Sequence, residues 1–195
     1  MARESSEVRA RVVAGAADLL RRRGFTAASV REIAKHSGAP LGSTYHYFPG
    51  GKSELATEAV RFADGLTRSA LASRIEDDPR AGLAAFIETW RTILEDSDFG
   101  AGCPVLAVAV DEHPDAGAPR AAAAEAFAAW RELLAESLRG HRVPEARSRS
   151  LAALAVAAVE GAVAMCRAER STAPLDEVAT ALDVALAGAL EVDGG

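Results

Sequence analysis

Aromatic residues are scarce in this 195-residue chain, at 5% of the total, with only two tryptophans and two tyrosines. Aromatic side chains favour strands, so their scarcity argues against an all-β architecture. Cysteine is scarcer still: Cys103 and Cys166 are the only two. A pair so far apart does not staple a small secreted domain and fits reduced thiols in the cytoplasm. No run of about 18 uncharged apolar residues occurs, which argues against a membrane span. The segment Met1 to Arg11 is charged and lacks the apolar core of a signal peptide, so a cytoplasmic location is expected. The four histidines, His36, His46, His113 and His141, show no zinc-binding spacing with the cysteines. No motif supplies an acid to orient His113 beside Cys103, as a thiol nucleophile requires. Catalysis, a metal and a cofactor are therefore not expected.

What the chain does contain is apolar residues, 49% of the total, with alanine, leucine and valine dominant. Alanine is the best helix former, so an all-α protein is expected. Charge is unevenly divided. Residues 1–52 hold nine Arg/Lys against four Asp/Glu, whereas the remainder holds thirteen against twenty-four. A basic front on an acidic body is the asymmetry of a protein whose one end meets phosphate.

Turn and cap signals divide the chain into helices. Ser5 or Ser6 can cap a first helix that ends at Gly24, with Val8, Val12, Ala16, Leu19 and Leu20 on one face. Arg21, Arg22 and Arg23 fall in its last turn, where cations suit either the helix dipole or a phosphate. Ser29 and Glu32 have capping-box spacing and open a short helix, about Val30 to Ser37. Gly38 supplies a turn, and Pro40 to Tyr47 forms a second short helix that stops before Pro49. Short helix, glycine turn and short helix is the layout of a helix-turn-helix. Longer helices are expected from Lys52 or Ser53 to Glu76, from Pro79 (capped by Asp78) to Asp96, from Pro119 to Arg139, from Pro144 to Arg167, and from Pro174 to Glu191. A two-turn helix is expected at Pro104 to Val110, and Asp193-Gly194-Gly195 forms a tail.

The stretch Thr26-Ala27-Ala28-Ser29-Val30-Arg31-Glu32-Ile33-Ala34, then Ser37-Gly38-Ala39, then Gly42-Ser43-Thr44-Tyr45-His46-Tyr47-Phe48-Pro49, resembles the DNA-binding domain of the tetracycline-repressor (TetR) family. The resemblance covers about residues 6–66. Phe48-Pro49-Gly50-Gly51-Lys52, with Gly102-Cys103-Pro104 downstream, looks like the LmrA/YxaF-type branch. Gly50-Gly51 stands where many members have a single residue before the lysine. The resemblance implies about nine helices: a DNA-binding domain over 1–51 and a ligand-binding and dimerisation domain over 52–195. It further implies a cytoplasmic homodimeric repressor that grips double-stranded operator DNA with its third helix and releases it for a small-molecule effector.

The expected DNA contacts are Arg31, Leu41, Gly42, Ser43, Thr44, Tyr45, His46 and Lys52. Lys52 and Tyr45 suit phosphate, while Leu41 to Thr44 face the groove by position. None of those four can make a bidentate base contact. The bland readings are a solvated lysine, a tyrosine that packs between helices and a surface arginine. In the C-terminal body the candidate pocket residues are Phe86, Trp90, Cys103, Leu106, Phe127, Trp130, Glu160 and Met165, although residues of these types are more often ordinary core. Glu160 stands out as a carboxylate in an apolar run, where it needs a cationic partner from a ligand or a second subunit. Ala153, Val156, Ala157, Val163, Leu182, Leu186 and Leu190 suit a four-helix dimer seam. The alternative reading is a thiol-based redox-sensing regulator that uses Cys103 and Cys166.

Overall fold

A computed structural model describes residues 2–75 and 78–191. Among the described residues there are nine α-helices, one 3-10 turn and no strand. The helices are α1 (Ala2–Ala27), α2 (Val30–His36), α3 (Leu41–Tyr47), α4 (Gly51–Ile75), α5 (Pro79–Asp96), α6 (Pro104–Ala109), α7 (Gly117–Gly140), α8 (Glu145–Glu169) and α9 (Ala173–Leu190). The all-helical expectation holds. The boundaries move by a few residues, for local reasons. Ser5 and Ser6 lie inside α1, which begins at Ala2. Pro40 and Pro144 precede their helices in extended or near-extended backbone. Pro114–Ala116 forms the 3-10 turn, so α7 starts at Gly117, ahead of Pro119. Glu76 and the Asp193-Gly194-Gly195 tail lie outside the described residues.

The chain forms two compact units. One holds residues 1–65 and 103–126, the other residues 66–102 and 127–195. The structural division is thus drawn differently from the functional one expected after Gly51, because α6 packs on α1. In the first unit α2 and α3 also pack on α1, around buried Val12, Ala16, Leu20, Phe25, Ile33, Phe48 and Leu55. The break in α1 falls at Gly24, whose φ of 76° lies in the left-handed region that glycine enters without strain.

In the second unit α5, α8 and α9 pack together. The core includes Leu83, Phe86, Trp90, Leu94, Trp130, Val159, Leu175 and Leu182. Phe86, Trp90, Phe127 and Trp130 meet edge to face, with ring centroids 5.4 to 6.1 Å apart. Such pairs add to the burial of the rings themselves. Arg80 ties α5 to α9 by two bonds of 2.7 Å to Asp183, and Arg91 makes a second tie to Asp176. By length and composition α8 is apolar enough to cross a bilayer, but Val156, Val159 and Val163 are buried within the unit.

Trp130 is fully buried and touches both Phe86 and Phe127. Truncation to alanine removes a large ring and leaves a cavity, so Trp130→Ala is expected to cost about 3–5 kcal/mol, read from the urea midpoint at an unchanged slope.

Candidate nucleic-acid interface

The α2 helix is short, and seven residues do not form a stable helix in water without help. Its start is fixed by the expected capping box. The Glu32 amide donates to Ser29 Oγ at 3.2 Å, and the Ser29 amide donates to Glu32 Oε2 at 3.1 Å. These Ser29 bonds, aided by Arg23, hold the Glu32 carboxyl below the usual glutamate range. Val30, Ile33 and Ala34 are buried, so α2 presents one face to α1. Gly38 then turns the chain at φ 64°, a backbone that an L side chain resists.

The α3 helix is held from beneath and along its flank. Thr44 is fully buried, and its hydroxyl donates to the Pro40 carbonyl at 3.2 Å. It is therefore a packing residue, which corrects its expected place in the groove: one side of a seven-residue helix must face the core. Phe48 is buried under the Arg9 guanidinium, 5.1 Å from the ring centroid, and Arg9 pairs with Glu58 at 2.7 Å. On the outer side Tyr45 is 52% exposed, Gly42 and His46 are exposed, and Leu41 and Ser43 are half-buried. The His46 ring meets Tyr47 edge to face at 5.4 Å. Leu41, Gly42, Ser43, Tyr45 and His46 thus leave an open surface along α3.

The basic front is less free than its charge suggests. Arg21 and Arg22 pair with Asp18, and His36 lies 2.7 Å from the same carboxylate. Partial burial pushes the Asp18 carboxyl up, but hydrogen bonds from Arg21, Arg22 and His36 outweigh it and hold it low. Lys52 Nζ sits 4.4 Å from the centroid of the Phe25 ring and donates to the Thr26 carbonyl at 3.1 Å. This half-buried ammonium is a brace for the α1–α2 turn, and in this conformation it is not the free phosphate ligand that the sequence suggested. Among the described residues Arg11, Arg31 and Lys35 are exposed cations that form no ion pair. Arg31 and Lys35 lie one turn apart on α2. Lys35 escaped sequence reasoning because nothing in the chain's order marks it as unpaired.

The expected pocket residues divide between the two units. Phe86, Trp90, Phe127 and Trp130 come together in the second, as described, and Glu160 is buried in it. Met165 is half-exposed on α8, so it belongs to an outer face and not to the aromatic cluster. Cys103 and Leu106 lie in the first unit, where the Cys103 sulfur accepts from the Leu106 amide at 3.4 Å and caps α6.

Removal of the cap hydroxyl in Ser29→Ala is expected to destabilise the first unit by about 0.5–2 kcal/mol at neutral pH. The lowered Glu32 carboxyl makes its contribution above the ordinary glutamate range and loses it as pH falls through its folded value. Urea titrations from pH 7 to pH 3 are therefore expected to show the gap between wild type and Ser29→Ala narrowing in acid.

Comparison with known proteins agrees with this geometry. Residues 12–59 match the family described as bacterial regulatory proteins, tetR family. Residues 79–181 match the C-terminal domain of LmrA/YxaF-like transcriptional regulators. An uncharacterized HTH-type transcriptional regulator of Mycobacterium tuberculosis is 39% identical over 87% of this chain and 89% of its own. The HTH-type transcriptional regulator LmrA of Bacillus subtilis is 28% identical over 89% and 94%. A TetR transcriptional regulator from Legionella pneumophila superposes with a TM-score of 0.80 at 22% identity, covering 89% of this chain and 94% of that one. The open, capped helix pair and the two family matches lead to one conclusion: the chain belongs to the TetR family of bacterial transcriptional regulators, in its LmrA/YxaF-like branch.

Proposed function

We propose that this regulator is a homodimeric repressor that binds a palindromic operator and releases it when a small molecule enters the second unit. The observation that carries the DNA reading is the outer face of α3, with Tyr45 and His46 exposed, beside unpaired Arg31 and Lys35 on α2. Phosphate contacts position and base contacts specify. Arg31, Lys35 and the Tyr45 hydroxyl supply the first. Gly42, Ser43 and the Leu41 methyls reach base edges without fixing one sequence. A dimer places two such helices one DNA turn apart, about 34–36 Å, on a two-fold site.

The second copy docks on α8 and α9. Val156, Val163, Leu182 and Leu186, expected in the seam, are buried inside the single chain. Exposed apolar residues on these helices include Leu154, Ala157, Gly161, Ala164 and Met165 on α8, with Val184 on α9. Small residues among these allow two helices to approach closely.

The effector reading rests on Trp90. Its indole N–H is buried and meets no acceptor among the described residues. A buried donor left unsatisfied costs about 1–3 kcal/mol, and a bound molecule with an acceptor removes that cost. The redox alternative fares worse: both thiols are buried, and burial pushes the Cys166 thiol up, away from the reactive thiolate. The functional division into a DNA-binding segment over 1–51 and a ligand and dimer segment over 52–195 belongs to the same proposal.

Duplexes selected from a random pool by the wild-type protein give the operator probe. Against it, Tyr45→Ala is expected to weaken binding at least tenfold with an unchanged melting temperature. Arg31→Ala is expected to lower the slope of log affinity against log salt by about one. Failure to select any duplex sinks the DNA reading. Trp90 and Trp130 are the only tryptophans and share one cluster. A true effector is therefore expected to change tryptophan emission and release the duplex at the same concentration, both weakened in Trp90→Phe.

A further inference from the structure

The segment that follows α6 makes a close contact with the turn that leads into α2, within the same compact unit. The Thr26 amide donates to Asp111 Oδ2 at 2.9 Å, and the Thr26 hydroxyl donates to Asp111 Oδ1. One carboxylate thus takes up both donors of a residue 85 positions earlier in the chain. Thr26 stands three residues before Ser29, the cap of α2. What fixes Thr26 therefore fixes where the helix-turn-helix begins.

The contact is built from both sides. Asp111 is held by its own backbone, because Arg120 Nη2 donates to the Asp111 carbonyl at 2.7 Å. Beside it, Phe25 is fully buried between two groups: the His113 ring stands edge-on at 5.2 Å, and the Lys52 ammonium lies at 4.4 Å from the ring centroid. Gly24 completes the fit. A Cβ there would come within 3.3 Å of Asp111 Oδ2, on a backbone whose φ is already positive. Partial burial pushes the Asp111 carboxyl up, but the hydroxyl and amide bonds from Thr26 outweigh it and keep it charged at neutral pH. Charge-assisted bonds of this kind are roughly twice as strong as neutral ones.

We propose that Asp111 is a positioning residue for DNA recognition, which clips the Thr26 turn and so sets the orientation of α2 and α3 from the far side of the sequence. Asp111 is an anion on a protein that meets phosphate, so its own charge opposes binding. Any gain in affinity that it brings must come through geometry. That sign separates positioning from contact. The inference rests on the DNA-binding reading.

The experiment uses the full chain and the duplex selected by wild type. Dissociation constants, salt slopes and melting temperatures are measured for Asp111→Ala, Asp111→Asn, Thr26→Val and the Asp111→Ala/Thr26→Val double variant. Hydrogen exchange is followed over residues 24–28. Asp111→Ala is expected to weaken binding about tenfold with an unchanged salt slope, since no phosphate contact is lost. Exchange at Thr26 speeds up. The double variant is expected to be no weaker than Asp111→Ala, as for two partners of one contact. Asp111→Asn keeps an acceptor for the Thr26 amide and recovers part of the affinity. Thr26→Val gives a loss of the same sign if Asp111→Ala fails to fold. Equal or tighter binding by folded Asp111→Ala overturns the proposal, as do additive losses in the double variant. If wild type selects no duplex, the functional reading has failed first, and this inference falls with it.

Discussion

Two buried rings, each covered by a cation, hold the reading unit at its ends. Phe25 lies under Lys52 where the chain enters α2, and Phe48 lies under Arg9 where it leaves α3. Both rings are fully buried, and a cation over a desolvated ring contributes about 0.5–2 kcal/mol in addition to the burial itself. The helices between them have seven residues each. They are too short to stand alone, so their orientation depends on these anchors and on the packing of α1. The exposure of Tyr45 and His46 is a consequence: one face of α3 is fixed inward by Thr44, so the opposite face points outward.

The same anchors change the meaning of the charge. Nine cations in the first 52 residues suggest a broad basic surface. In the folded unit Arg9 is tied to Glu58, Arg21 and Arg22 to Asp18, Arg23 to Glu32 and Lys52 to Phe25. Of the nine, those described as exposed and without an ion pair are Arg11, Arg31 and Lys35. Long-range attraction to a polyanion still follows net charge, but a direct phosphate bond needs a free donor. Most of the arginines of this domain therefore act on its own architecture.

The second unit is organised differently. Its helices are long and alanine-rich, and its specific features include an aromatic cluster, a buried indole donor and two arginine ties between α5 and α9. Alanine packs closely but leaves little to distinguish one helix face from another. That is why the sequence does not separate the inward from the outward faces of α8 and α9. Their apolar residues surround the helix, so periodicity did not reveal which stripe faces inward. Burial in the folded chain separates Val156 and Val163, which are inside, from Leu154 and Met165, which are not.

The order of residues by itself determined the helices and their stops. Ser29 and Glu32 set the start of α2, Gly24 and Gly38 set the turns, and Asp78 with Pro79 set the start of α5, because caps and positive-φ turns act within four residues. The family motif around Tyr45 was legible for the same reason. Tertiary structure alone decided what each side chain faces. It turned Thr44 inward, placed Lys52 on a ring, left Lys35 free, and brought Asp111 to Thr26 across 85 residues. Those outcomes depend on which surfaces α1 covers and on a carboxylate from a distant loop. Long-range packing of this kind leaves no local trace in the chain, because its cost and its gain are shared between segments that meet only after folding.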